Sequence, residues 1–320
     1  MGKIIRIGTR ESQLAVWQAD RVKSLLDQHG ISSELIFIKS EGDIDLSTPL
    51  YEMGVQGIFT RSLDLALLKG QIDIAVHSMK DVPTQLPKGT AQFAVLERGS
   101  FKDLLVYKGE WSSLEKELEY VNADTTSAVD KLPLKIATSS VRRKAQWLNR
   151  YPRHIIENLR GNVNTRMRKL DEENWNAAIF AAAGLERIGL RPAHSIELDW
   201  MLPAPAQGAI MVVGREDDSM AVEACRPLND EATALCTRIE RDFLRALLGG
   251  CSTPISGLAE IKGNEILFRG NILSPDGSQK ADVEKSAPLS SAAELGIIAA
   301  RELLAGKGQQ IAEKIRNGGK

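Results

Sequence analysis

LKIATSSVRRKAQW, residues 134–147, is the stretch whose reading decides the fold. A short apolar β-type run reaches Ala137, a Thr-Ser-Ser step follows, and a helix then begins with Arg142 and Arg143 in its first turn. The same succession of strand, Thr, polar residues, helix and Trp stands near the start of the chain as RIGTRESQLAVW, residues 6–17, a faint internal repeat. Around the first copy, Ala15, Ala19, Val22 and Leu26 mark a helix that stops at QHG, and ELIFIKS reads as a second strand. Phe59, Leu63, Ala66 and Leu67 then share a helix face that Gly70 ends, and the strand IDIAVHS runs into MKDVP. Around the second copy come the strand HIIENL, the helix NTRMRKL and the strand AAIFAAAG. Alternating strands and helices predict two similar α/β units with mainly parallel sheets, separated by a charged, Ser/Thr-rich stretch over residues 111–131. From LNDEATALC onward the pattern changes to a helix, β-type runs divided by KGN and SPDG turns, and a final helix from Ser291 to about Lys314. That tail predicts a small antiparallel α+β domain.

At 320 residues the chain exceeds what one hydrophobic core serves, and two or three domains follow. A formal net charge of -1 excludes a general electrostatic binder of nucleic acid or of membrane surfaces, so any basic site must be local. The opening MGKIIRIGTRESQ lacks a signal-peptide core and no apolar run is long enough to span a bilayer; a soluble, cytoplasmic protein is expected. Cys225, Cys236 and Cys251 lack the close pairing of a zinc site, so no metal is expected. Cys236 sits at helical spacing with Ile239 and Phe243 and reads as core. Cys251, in GGCSTP, has glycines before it and Pro254 after it. It reads either as a thiol presented on a loop or as a turn that happens to hold a cysteine.

Chemistry belongs at the carboxyl ends of the parallel strands. There GTRES puts Arg10 and Ser12 at a helix start, and ATSSVRR puts Thr138, Ser139 and Ser140 at a helix N-terminus followed by Arg142 and Arg143. Cations at a helix N-terminus oppose the dipole, so the arginine pair calls for a compensating anion. LRGNVNTRMRK adds Arg160 and Arg166, whose planar forks suit carboxylates. The alternative is arginines that only solvate helix faces. HSMKDVP places Lys80 and Asp81 side by side at the mouth, for electrostatic or acid/base work or as a plain surface ion pair, while His77 reads as packed.

These residues fall in six co-linear motifs, VHSMKDVP, TSSVRRKAQ, LRGNVNTR, AAAGLERIGL, LPAPAQGA and ERDFLRALLGGCSTPI, and with them the chain resembles the hydroxymethylbilane synthase (porphobilinogen deaminase) family along almost its whole length. The resemblance implies two periplasmic-binding-protein-like α/β domains, 1–100 plus about 207–224 and 101–206, and a C-terminal α+β domain, 225–320. It implies a transferase that joins four porphobilinogens, with loss of ammonia, onto a covalent dipyrromethane and releases linear hydroxymethylbilane by hydrolysis. Cys251 would hold the dipyrromethane by a thioether, with Ser78, Lys80, Asp81, Thr138, Ser140, Arg142 and Arg143 around it. Arg10, Ser12, Gln18, Arg160, Arg166 and Arg187 would face the incoming ring or growing chain, Gln207 would lie at the interdomain crossing, and Asp81 would be catalytic. The expected partner is porphobilinogen, with no nucleic acid or membrane, on a monomer.

Departures from the family pattern are Glu52, Val55, Gln56 and Arg61 in EMGVQGIFTRSLD, where three lysines and a glycine are usual, and Ala137 and Ala206 at usual glycines. A reading from another class is a non-catalytic binder of a small dicarboxylate or other dianion, which two α/β lobes with cleft arginines would also suit.

Overall fold

The computed structural model describes residues 4–39, 60–122, 133–247 and 253–317. The first unit runs β1 (Ile5–Thr9), α1 (Gln13–Gln28), β2 (Ser33–Phe37), α2 (Arg61–Leu68), β3 (Ile74–Ser78) and β4 (Thr90–Val95). The second runs β5 (Asp103–Tyr107), α3 (Trp111–Asn122), β6 (Lys135–Ala137), α4 (Val141–Arg150), β7 (Ile155–Glu157), α5 (Val163–Glu172), β8 (Ala177–Ala181), α6 (Ala182–Glu186) and β9 (Ser195–Glu197). The chain continues through β10 (Ile210–Arg215), α7 (Ser219–Cys225), α8 (Glu231–Ala246), β11 (Ile255–Lys262), β12 (Glu265–Leu273), β13 (Lys280–Pro288), α9 (Leu295–Ala305) and α10 (Gly308–Asn317).

The repeat legible in the sequence becomes two sheets of matching order, β2-β1-β3-β10-β4 and β7-β6-β8-β5-β9. In each, three parallel strands are followed by an antiparallel one, β10 or β5. Apolar side chains on both faces explain the near-continuous hydrophobic runs of the parallel strands. Ile5, Ile7, Ile74 and Val76 pack with Ala19, Val22 and Leu26 of α1 on one side, while Ala75 and Met79 pack with Leu63 and Leu67 of α2 on the other. The second sheet is covered likewise, with Trp147 of α4 buried against Ile136 and Ile179.

Two segments cross between the units side by side. Gly99 donates its backbone N–H to Gly208 at 3.1 Å, and a Cβ on Gly208 would stand 2.7 Å from the carbonyls of Gly99 and Ser100. Ala206, with φ 62, is the non-glycine residue held in the left-handed region among the described residues, a conformation costing an L-residue about 1–2 kcal/mol. Its N–H donates to Glu240 Oε2 at 2.6 Å, which holds the strained turn in place. Ala137, the other alanine at a usual glycine, lies in extended β6, where a side chain costs nothing special.

The C-terminal sheet, β11-β12-β13, is antiparallel, with Phe243 of α8 and Ala299 of α9 buried among Ile255, Phe268 and Ile272. The final helix expected from Ser291 is broken into a 3-10 turn, Leu289–Glu294, and then α9 and α10. Gly306 sits between these two helices, a poor helix residue at the break. Trp111–Asn122, read as part of a polar connector, is helix α3, with Leu114 and Leu118 facing the core.

The SPDG turn docks on the second unit: Gly277, φ +74, accepts from Asn149 Nδ2 at 2.8 Å. A Cβ there would meet the backbone of α4, 2.6 Å from both Ala145 O and Asn149 N. Gly277→Ala is therefore expected to destabilise the protein by at least about 2 kcal/mol, from the forced φ and the overpacked contact together. Denaturant unfolding checks it; an unchanged midpoint would show that this contact carries no stability.

Candidate functional site

The strand β3 delivers the first part of the site. Ser78 ends it, Met79–Asp81 form a 3-10 turn, and extended Val82 leads to Pro83, so no helix follows, as the proline requires. Met79 is buried and its N–H donates to Ala209 O, pinning the turn to the second crossing. Gln18 of α1 donates its Nε2 to Ser78 Oγ at 2.9 Å. Lys80 Nζ donates to Gln207 Oε1 at 3.3 Å. Burial lowers the Lys80 ammonium to about 8, helped by Arg143 and Arg142 and opposed by Asp81 and Asp103. His77 is buried and driven down to about 4 by burial and by Arg10, hence neutral.

Helix α4 supplies the second part. Ser140 is its N-cap, accepting from Arg143 N at 3.4 Å, and Thr138 Oγ1 accepts from Ser140 N at 3.2 Å. The anion demanded by two arginines at this helix start comes first from the chain itself. Asp103, buried at the head of β5, accepts from Arg143 Nε at 3.1 Å and Nη2 at 2.8 Å, and its other oxygen lies 2.8 Å from Arg142 Nη2. Burial alone would raise the Asp103 carboxyl, but Arg142, Arg143, Gln207 and Lys80 outweigh it and hold it at about 2. Arg143 further donates to Ile179 O at 2.9 Å, and Arg142 to Leu202 O at 2.7 Å. Arg142 Nε is buried without a hydrogen-bond partner among the described residues.

Gln207 joins the two parts. Its amide N–H groups go to Phe101 O at 2.8 Å and Asp103 Oδ1 at 2.9 Å, while its Oε1 accepts from Lys80 and Arg142. Arg166 of α5 donates Nε to Gly161 O at 2.7 Å. Burial lowers Arg166 to about 10, with Arg143 and Arg160 adding to the effect and Asp81 opposing it. Lys80, Arg142, Arg143, Arg160 and Arg166 thus share one electrostatic neighbourhood, in which Asp81 and Asp103 are the carboxylates felt by Lys80 or Arg166 among the described residues. Such an excess of cations fits a ligand bearing several carboxylates, and the unmatched Arg142 Nε is a donor left for one. Ser12 is the N-cap of α1 and makes no side-chain capping hydrogen bond.

Arg187 of α6 is engaged differently. Its Nη2 donates to Gly208 O at 2.6 Å and its guanidinium lies 5.5 Å from the centre of the Trp17 ring, bridging the second unit to the crossing and to α1. Cys251, Glu52, Val55 and Gln56 lie outside the described residues. Cys225 and Cys236 are buried, and burial pushes their thiols up to about 12 and about 11. Among the described residues no cluster of His, Cys, Asp and Glu could hold a metal ion, and no helix is long and apolar enough to cross a membrane.

The profile described as "Porphobilinogen deaminase, dipyromethane cofactor binding domain" matches residues 5–223, and "Porphobilinogen deaminase, C-terminal domain" matches residues 234–305. The chain belongs to the porphobilinogen deaminase family. A porphobilinogen deaminase from each of two strains of Acidithiobacillus ferrooxidans is 40% identical over 321 residues, covering 98% of both chains. A solved ancestral cationic amino acid solute-binding protein overlays with a TM-score of 0.41 at 13% identity, covering 70% of this chain and 87% of that one. As a member of the deaminase family, the protein is a transferase of tetrapyrrole biosynthesis with a dipyrromethane-binding domain, and the plain dianion binder is set aside.

Sequence reasoning missed two buried carboxylates that organise this deaminase site, Asp103 and Glu240. Glu240, on the core face of α8, accepts from Arg98 Nη1 at 2.6 Å and Nη2 at 3.0 Å, and from Ala259 N at 2.8 Å. The signal was present in both cases. Asp103 heads the apolar strand DLLVY, and Glu240 stands four residues after Cys236 and three before Phe243 on the buried helix face, positions where a carboxylate needs a cationic partner.

Proposed function

We propose that Asp81 is the catalytic carboxylate of this transferase and that Cys251 anchors the dipyrromethane. Dipyrromethane, when bound, supplies the terminal pyrrole carbon to which new rings are joined. Departure of ammonia from the substrate's aminomethyl group leaves positive charge on that carbon, and a fixed carboxylate beside it stabilises the charge where it develops. Asp81 is suited to that role because the turn fixing it is short and pinned at Met79. It can also take the proton that the new pyrrole carbon loses. Ser78, Lys80, Thr138, Ser140, Arg142 and Arg143 hold the carboxylates of the anchored rings. Arg10, Ser12, Gln18, Arg160, Arg166, Arg187 and Gln207 face the incoming ring or line its way in. The observation that carries the reading is the cation excess gathered around Asp81 at the carboxyl end of β3.

The proposed division is 1–100 plus about 207–224, 101–206 and 225–320. Support for the anchor comes from the family, whose matching domain is the dipyrromethane cofactor binding domain. A monomeric, cytoplasmic enzyme with porphobilinogen as its partner completes the proposal.

Incubation of the purified protein with porphobilinogen tests it: four ammonia released per linear tetrapyrrole is expected, and binding without ammonia release would overturn it. Lys80 adds a pH signature. A group lowered to about 8 is charged below that pH and neutral above it, so its attraction for carboxylates fades as pH rises through about 8. Loading of ligand-free protein with its two-ring adduct, followed by intact mass, is expected to slow above pH 8. Lys80→Arg is expected to abolish that decline, because an arginine keeps its charge. Identical profiles for the two proteins would remove Lys80 from the set of carboxylate partners.

A further inference from the structure

The ERDFLRALL motif holds a residue that the assignments above leave unused. Arg241, on α8, donates Nη1 to Met79 O at 3.3 Å and to Val82 O at 2.8 Å, and Nη2 to Pro83 O at 2.6 Å. These carbonyls bracket Lys80 and Asp81; that of Met79 also accepts from Val82 N–H at 3.2 Å within the turn, and Arg241 reaches it together with those of Val82 and Pro83. One planar guanidinium thus spans the whole turn, from its first residue to the proline that ends it. The neighbouring residue, Glu240, grips the crossing through Ala206 N, next to the Gln207 that touches Lys80. From one turn of one helix, the C-terminal domain fixes both the turn carrying Asp81 and the segment behind Lys80.

We propose that Arg241 is a positioning residue for Asp81: by clamping the carbonyls of Met79, Val82 and Pro83 it sets where the carboxylate stands relative to the reacting substrate carbon. The proposal rests on Asp81 being catalytic. A displacement of the order of an ångström in a catalytic group costs up to about a hundredfold in rate, and Arg241 limits such movement from the side of α8. Lysine in its place keeps the charge but, as a single ammonium, cannot hold three carbonyls in the same fork geometry.

The test is a cycle of primed enzymes, each confirmed by intact mass to carry the adduct: parent, Arg241→Met, Asp81→Asn and the double variant, read as single-turnover addition of one porphobilinogen. Arg241→Met is expected to slow addition about tenfold or more, with substrate affinity unchanged, in the parent background. In the Asp81→Asn background it is expected to add less than about twofold, because a misplaced asparagine has no charge left to misplace. Arg241→Lys is expected to fall between parent and Arg241→Met, and it carries the same comparison if the methionine variant does not fold. Equal slowing in both backgrounds, or none in the parent, would overturn the positioning role while leaving Asp81 in place. An Asp81→Asn enzyme at the parent rate would instead remove the catalytic reading and this inference with it.

Discussion

Cys251→Ala is expected to fold, to carry no covalent two-ring adduct and to make no tetrapyrrole. A thioether anchor needs a thiol that can ionise and be reached. Cys225 is fully buried against the α1 side of the first sheet and its thiol is pushed up to about 12. Cys236 is packed into the C-terminal core with a thiol pushed up to about 11. Neither can substitute, so the loss is expected to be complete. Circular dichroism and intact mass separate a folded, unloaded chain from a misfolded one, and turnover by Cys251→Ala would refute the anchoring role.

Asp81→Asn is expected to keep its adduct yet add the first porphobilinogen on the order of a hundredfold more slowly, the loss typical when a preorganised partner of transition-state charge is removed. Asparagine keeps the shape and an acceptor oxygen but not the negative charge. Asp81→Glu keeps the charge about one methylene out of place and is expected to be slow but active. Arg166 and Lys80 both feel the Asp81 charge, so its removal also raises the cation excess around the site. That excess should tighten the hold on anionic chains, which predicts a fall in rate without a matching loss of bound ring. Single-turnover kinetics on primed enzyme separate the two effects. Addition by Asp81→Asn at close to the parent rate would move catalysis away from this turn.

Much of the architecture is legible in local pattern. The strand and helix succession of residues 134–147 and its echo at residues 6–17 announce two α/β units, and the SPDG and KGN turns announce the antiparallel tail. The order of strands is not legible, because β10 and β5 enter their sheets from crossings whose partners are remote in sequence. The polar connector read over residues 111–131 hid α3, since Leu114 and Leu118 alone mark its buried face among charged residues. Helix-terminus and strand-end reasoning singled out Lys80, Asp81, Arg142 and Arg143, which the structure brings into one electrostatic neighbourhood. It missed Asp103, whose place at the head of the apolar strand DLLVY called for a cationic partner, because nothing local shows that the partners are the two arginines of α4.

That pair changes what an arginine substitution means. Removing Arg142 or Arg143 leaves buried Asp103 with one arginine fewer, a destabilisation of up to about 3–5 kcal/mol that the remaining arginine and Gln207 reduce. A missing adduct in such a variant reports the fold as much as the contact with the ligand, so Arg160 and Arg166 are the cleaner probes of carboxylate binding.

The central claim, a chain that carries its own two-ring primer and extends it, is tested most directly by intact mass of the purified protein before and after brief exposure to porphobilinogen. The account predicts a single species heavier than the polypeptide by a covalent two-ring adduct, and then a ladder of further single-ring increments. A mass equal to the bare polypeptide that stays unchanged on prolonged incubation with porphobilinogen would contradict it.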